Sequence, residues 1–144
     1  METTPLSAYL VDDELLAIER LTRLLGKFDL LRIAGSASDP AVALEFLSHE
    51  PVDVLFLDIQ MPGMNGDVVA AKIRRIKSQV PILLLSAYGP LPKSKLEAVD
   101  TFLSKSQPTK ILLSTLQDLL NRRSRPFFSR WFDTWRSRNE GVRQ

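Results

Sequence analysis

An open α/β sheet with helices on both of its faces is the fold this sequence predicts, and three observations predict it. Short apolar runs recur along the chain, helical periodicities lie between them, and two of the runs carry no polar alternation. The runs are residues 8–11, 30–34, 54–57, 82–85 and the weaker 101–103, each of strand length. The third and fourth are apolar throughout, which is how a strand covered on both faces of a parallel sheet reads.

Taken in order, the first run leads into a helix on which Ile18, Leu21, Leu25 and Phe28 recur at i, i+3, i+7 and i+10. After the second run, Asp39 before Pro40 is an N-cap followed by proline at the first helical position, opening a helix with Ala43, Phe46 and Leu47 on its inner face. Val69, Ile73 and Ile76 mark a third helix between the third and fourth runs. Residues 88–99 contain Gly89, Pro90 and Pro92 and leave room for only a short helix. Pro108 opens the last long helix, whose inner stripe is Leu112, Leu113, Leu116, Leu119 and Leu120. Strands alternating with helices imply right-handed crossovers, hence a doubly wound, five-stranded parallel sheet in the flavodoxin-like order 2-1-3-4-5.

Bulk composition sets the organisation. The 144 residues suffice for one compact domain and a tail. Residues 1–121 hold twelve Lys/Arg against fifteen Asp/Glu, whereas residues 122–144 hold seven arginines against two acids. A mildly acidic domain over 6–121 followed by a basic tail over 122–144 is expected, with too few residues after Leu120 for a DNA-binding or other folded output domain. The absence of cysteine excludes a disulfide framework, a thiolate zinc site and a cysteine nucleophile. No secretory leader or membrane-spanning run is present, so the cytoplasm is the expected location.

Chemistry collects at the carboxyl ends of the strands, where open α/β sheets bind ligands. Asp12-Asp13-Glu14 follow the first strand, Asp58 the third, Ser86 the fourth and Lys105 the fifth. With strands one and three adjacent, Asp12, Asp13 and Asp58 converge, and three carboxylates in one crevice call for a cation. A hard divalent ion with open water positions fits, and Mg²⁺ is the expected cofactor. Asp58 becomes a candidate nucleophile for a phosphoryl group, with Lys105 and the Ser86 hydroxyl placed to bind its oxygens.

These residues carry a family resemblance. The stretches Tyr9-Leu10-Val11-Asp12-Asp13-Glu14, Leu57-Asp58-Ile59-Gln60-Met61-Pro62-Gly63-Met64-Asn65-Gly66, Ser86-Ala87-Tyr88 and Phe102-Leu103-Ser104-Lys105 resemble the response-regulator receiver family of two-component signalling. The resemblance implies that Asp58 is the phosphoacceptor, supplied by a sensor histidine kinase or a phosphotransfer protein. It implies a metal held by Asp12, Asp13, Asp58 and the backbone carbonyl of Gln60, a phosphoryl group bound by Ser86 and Lys105, and Phe102 as the aromatic that changes rotamer with it. Small Ala87 would leave the acyl phosphate accessible. The protein would itself be a signalling switch, catalysing only its own phosphorylation and dephosphorylation. Two departures stand out: Ser106 follows the lysine where many receivers have a cis-proline, and the segment from Ser86 to Lys105 is short for the family.

Competing readings fare worse. A haloacid-dehalogenase-type phosphatase would need an acid/base aspartate two residues beyond the nucleophile, where Gln60 stands. A flavodoxin would need a hydroxyl- and glycine-rich loop where this chain has three acids. A pseudo-receiver working without phosphorylation is the remaining alternative, although none of the expected acids nor the lysine is missing. His49, the only histidine, reads as helix-end surface. In the tail, a helix beginning at Pro126 would align Phe128, Trp131, Phe132 and Trp135 on one face. That stripe is expected to dock on protein, a downstream partner or a second copy forming a homodimer, around the fourth and fifth elements. Arginine beside tryptophan also fits contact with a membrane surface.

Overall fold

The computed structural model describes residues 5–27, 31–61, 65–87 and 91–122, without the side chains of Thr109 and of residues 119–122. The elements are β1 (Leu6–Val11), α1 (Leu15–Leu25), β2 (Leu31–Ala37), α2 (Pro40–His49), β3 (Val54–Asp58), α3 (Gly66–Ile76), β4 (Ile82–Ser86), a single 3₁₀ turn at Lys93–Lys95, β5 (Thr101–Ser104) and α4 (Thr109–Arg122). All strand pairs are parallel and the sheet order is β2-β1-β3-β4-β5, the flavodoxin-like arrangement that the alternating pattern predicts. The chain forms two compact units, one running to Gln107 and one starting at Pro108.

Period-2 geometry explains the core. Tyr9, Val11, Leu55, Leu57, Ile82 and Leu84 point to one face of the sheet and join Ala43, Leu47, Val69, Ala70 and Ile73 from α2 and α3 in one buried cluster. The alternate residues Ala8, Leu10, Val54, Phe56 and Leu83 point to the other face and are also buried, which is why β3 and β4 show no polar alternation. Tyr9 and Phe46 stack with ring centroids 4.4 Å apart, and Gly35 on β2 lies beneath the tyrosine, where an added Cβ would stand 3.0 Å from Cε1.

Three local expectations are adjusted. β2 continues through Gly35-Ser36-Ala37, beyond its apolar run, because these residues pair with Tyr9, Leu10 and Val11 of β1. α1 stops at Leu25, capped by the Gly26 N–H bonding to the Thr22 carbonyl, and Phe28 lies outside the described residues. Ile76 is 50% exposed, its expected core place being taken by Ala70 together with Val69 and Ile73. Asp39 caps α2 as predicted, its Oδ1 accepting from the Ala41 N–H at 2.7 Å.

Among the described residues between β4 and β5 the chain makes only the 3₁₀ turn, in keeping with its prolines. Leu91, Leu96, Ala98 and Val99 nevertheless pack against the cluster on the α2/α3 face. Arg74 of α3 fastens this connection. Its guanidinium donates to the carbonyls of Ser78, Val80 and Ala98 and meets Asp100 Oδ2 at 2.6 Å, while the same oxygen accepts from the Ile82 N–H. In the second unit, the Pro108 carbonyl accepts from the Ile111 and Leu112 N–H groups, and Leu112, Leu113, Leu116 and Gln117 form the buried stripe of α4. The proposed aromatic helix with Phe128, Trp131, Phe132 and Trp135 lies outside the described residues.

Candidate functional site

Backbone bonds that continue past the strand ends set the site in place. The Asp12 N–H bonds to the Ala37 carbonyl, the Ile59 N–H to that of Leu85, and the Lys105 N–H to that of Ser86 at 2.7 Å. These bonds tie the end of β1 to β2 and the ends of β3 and β5 to β4, and Val11 of β1 pairs with Leu57 of β3, so Asp12, Asp58 and Lys105 leave the sheet at one edge. Gly66, at the start of α3, donates to the Ile59 carbonyl at 2.7 Å, and an added Cβ would clash with the Asp58 carbonyl oxygen and stand 2.7 Å from the Ile59 Cα. Only glycine lets α3 begin this close to the strand end that carries Asp58.

The sequence-derived convergence is present. Asp12, Asp13 and Asp58 each offer a carboxylate oxygen, all within 4.8 Å of one another. Lys105 Nζ bridges two of them, 2.7 Å from Asp12 Oδ2 and 3.2 Å from Asp58 Oδ1. The other Asp12 oxygen accepts from the Glu14 N–H at 2.9 Å and closes the turn into α1. Asp13, Glu14, Asp58, Gln60, Met61, Asn65, Ala87 and Lys105 line a cavity of about 390 Å³.

The charges are unbalanced. Burial, reinforced by the Asp12 charge and outweighing Lys105, pushes Asp58 up to about 7. Burial alone would lower Lys105, but its hydrogen bond to Asp12 and the Asp58 charge carry it above the usual lysine value. One ammonium against three carboxylates leaves the crevice short of positive charge, and the clustered oxygen donors suit a hard divalent cation.

Ser86 is fully buried at the end of β4 and lines a second cavity of about 220 Å³ with Ile59, Gln60, Asn65, Leu91 and Lys95, so the two cavities share Gln60 and Asn65. Phe102 is half-buried and pairs in register with Leu84 of β4. Where many receivers have proline, Ser106 sits in a turn closed by Ser104, whose Oγ lies 2.9 Å from Ser106 Oγ and whose carbonyl accepts from the Gln107 N–H. Lys95 is the residue that sequence reasoning missed, because it lies in a proline-rich stretch with no periodicity to say where it points.

Fold and crevice together define a flavodoxin-like α/β protein with a lysine-bridged acidic site at the carboxyl edge of its sheet. The chain belongs to the response regulator receiver family: the model of the response regulator receiver domain matches residues 8–117. Similar curated proteins include protein MrkE of Klebsiella pneumoniae, 31% identical over 114 residues covering 78% of this chain and 42% of the relative. The transcriptional regulatory protein YpdB of Escherichia coli K12 is 32% identical over 104 residues, covering 71% of this chain and 43% of that protein. The chain thus spans less than half the length of these curated relatives. Among solved structures, the response regulator TrrA of Thermotoga maritima in complex with Mg²⁺ and BeF superposes with a TM-score of 0.73 at 30% identity, over 79% of this chain and 98% of that one. Among the described residues, no helix is long and apolar enough to cross a membrane.

Proposed function

We propose that this receiver domain, residues 6–121, accepts a phosphoryl group on Asp58 with Mg²⁺, from a sensor histidine kinase or a phosphotransfer protein, and signals through protein–protein contact in the cytoplasm. The observation that carries this reading is Lys105 Nζ bridging Asp12 and Asp58 beside Asp13, at the rim of a cavity wide enough for a donor. Asp12, Asp13, Asp58 and the Gln60 backbone carbonyl would hold the ion. When bound, Mg²⁺ supplies the positive charge that neutralises the oxygens of a transferring phosphoryl group.

The chain's own groups do the rest. An ionised Asp58 oxygen attacks phosphorus, forming the acyl phosphate, while the bond from phosphorus to the donor breaks and its electron pair leaves with the donor group. Lys105 exchanges a carboxylate partner for a phosphoryl oxygen, and Ser86 donates its hydroxyl to another. The inward pull on Ser86 opens room for Phe102 to turn, which changes the face around β4 and β5. The tail, residues 122–144, docks through Phe128, Trp131, Phe132 and Trp135 on a downstream partner or a second copy.

Acetyl phosphate is expected to label the wild-type chain in a Mg²⁺-dependent manner, and Asp58→Asn to take no label, as read by intact mass. Full labelling of Asp58→Asn, or equal labelling in EDTA, overturns the assignment; no labelling of wild type under any donor points to an interaction module that works without phosphorylation.

A further inference from the structure

Lys95 lines the cavity that adjoins the acidic crevice and shares Gln60 and Asn65 with it, and the phosphoryl chemistry described above does not use this cation. It ends the 3₁₀ turn between β4 and β5, and its neighbours fix where it stands: Leu91 and Leu96 pack on the core, and the Leu96 N–H bonds to the Lys93 carbonyl. Lys95 lines the 220 Å³ cavity together with Ser86, Gln60 and Asn65. Its present partner is Asp67, in the first turn of α3, with Nζ–Oδ2 at 3.5 Å and side-chain exposures of 42% and 21%. Charge-assisted bonds of full strength run at about 2.7–2.9 Å, so this pair is loose. Asp67 Oδ1 is buried without a hydrogen-bond partner, so this carboxylate is poorly satisfied even with Lys95 beside it, and the α3 N-terminus continues to favour its charge when Lys95 leaves.

We propose that Lys95 is a phosphoryl-recognising residue, a second ammonium that leaves Asp67 to meet the oxygens of the phosphoryl group on the Ser86 side. The inference rests on Asp58 being the phosphoacceptor. In the reaction with acetyl phosphate, the Asp58 oxygen forms a bond to phosphorus, the bond from phosphorus to the acetyl oxygen breaks, and acetate leaves with the electron pair. Lys95 forms no covalent bond; it offsets phosphoryl charge that Lys105 alone leaves exposed on that side.

Labelling rates with acetyl phosphate and phosphoramidate, which deliver the same phosphoryl group from different leaving groups, provide the test, in the full chain with Mg²⁺. Lys95→Gln is expected to slow labelling by both donors about fivefold and to weaken beryllofluoride binding. Asp67→Asn frees Lys95 and is expected to speed labelling by acetyl phosphate. Opposite signs are the signature, because a pair that merely braced the turn would give changes of the same sign in both variants. Same-sign changes, slowing with one donor alone, or an unchanged Lys95→Gln overturn the role of Lys95 while leaving a labelled Asp58 intact. A wild-type chain that takes no label overturns the proposed function itself, and with it this inference.

Discussion

Burial of the Asp58 carboxyl makes stability depend on pH. Asp58 sits near 7 when folded, against about 3.9 in an unfolded chain. Between those values the native state keeps a proton that the unfolded state has released, so this group makes stability fall as pH rises from about 4 through 7. Lys105 acts oppositely, since a raised folded value contributes stability below about 10.4 that is lost as pH climbs beyond it. Asp58→Asn is therefore expected to be more stable than wild type at pH 8 and no more stable at pH 4, read from urea midpoints at the two values. Cation binding has the matching proton signature. Calorimetry in buffers of different ionisation enthalpy should find about one proton released per Mg²⁺ at pH 6 and almost none at pH 8.5, with no such trend in Asp58→Asn.

At the level of elements, two contacts join α3 to its surroundings. Gly66→Ala forces a methyl group against the backbone of Asp58 and Ile59 and should cost about 2 kcal/mol, with slower Asp58 labelling because the strand end itself must shift. Arg74→Met keeps the stem but leaves Asp100 and the Ala98 carbonyl without the guanidinium, an expected loss of about 2–3 kcal/mol in urea unfolding. The same elements mark how far sequence reasoning reaches. β3 and β4 were readable because both faces are buried, and Asp12, Asp13, Asp58 and Lys105 because each stands one residue past an apolar run or close to it. The extension of β2 was not, since Gly35 and Ser36 earn their place from pairing with β1 rather than from apolar burial. Ile76 matched the helical period yet is exposed, because α3 buries its narrower stripe with Ala70. Arg74 and Lys95 carry no pattern at all: their roles come from which carbonyls and carboxylates the folded connection between β4 and β5 presents.

For the molecule as a whole, a switch must transmit what happens at Asp58. Lys105→Ala is expected to accept label slowly but to lose the beryllofluoride-induced NMR shifts in β4 and β5, and shifts equal to wild type would break that coupling. Deletion of residues 124–144 should leave Asp58 labelling unchanged while weakening self-association or partner binding. Trp131 and Trp135 fluorescence should respond to beryllofluoride; an unchanged signal, with salt-sensitive binding of the tail to anionic vesicles, would assign the tail to a membrane surface instead. The strand order also bears on how the chain is made. Once β1 and β2 pair, β3, β4 and β5 join in turn at the same side of the growing sheet, so the order of assembly can follow the order of synthesis. Asp12 and Asp13 leave the ribosome early, Asp58 midway, and Lys105 only after all five strands. A chain that paired its strands in this order would bring its three acids together before their ammonium partner, and docking of the last strand would then relieve their repulsion.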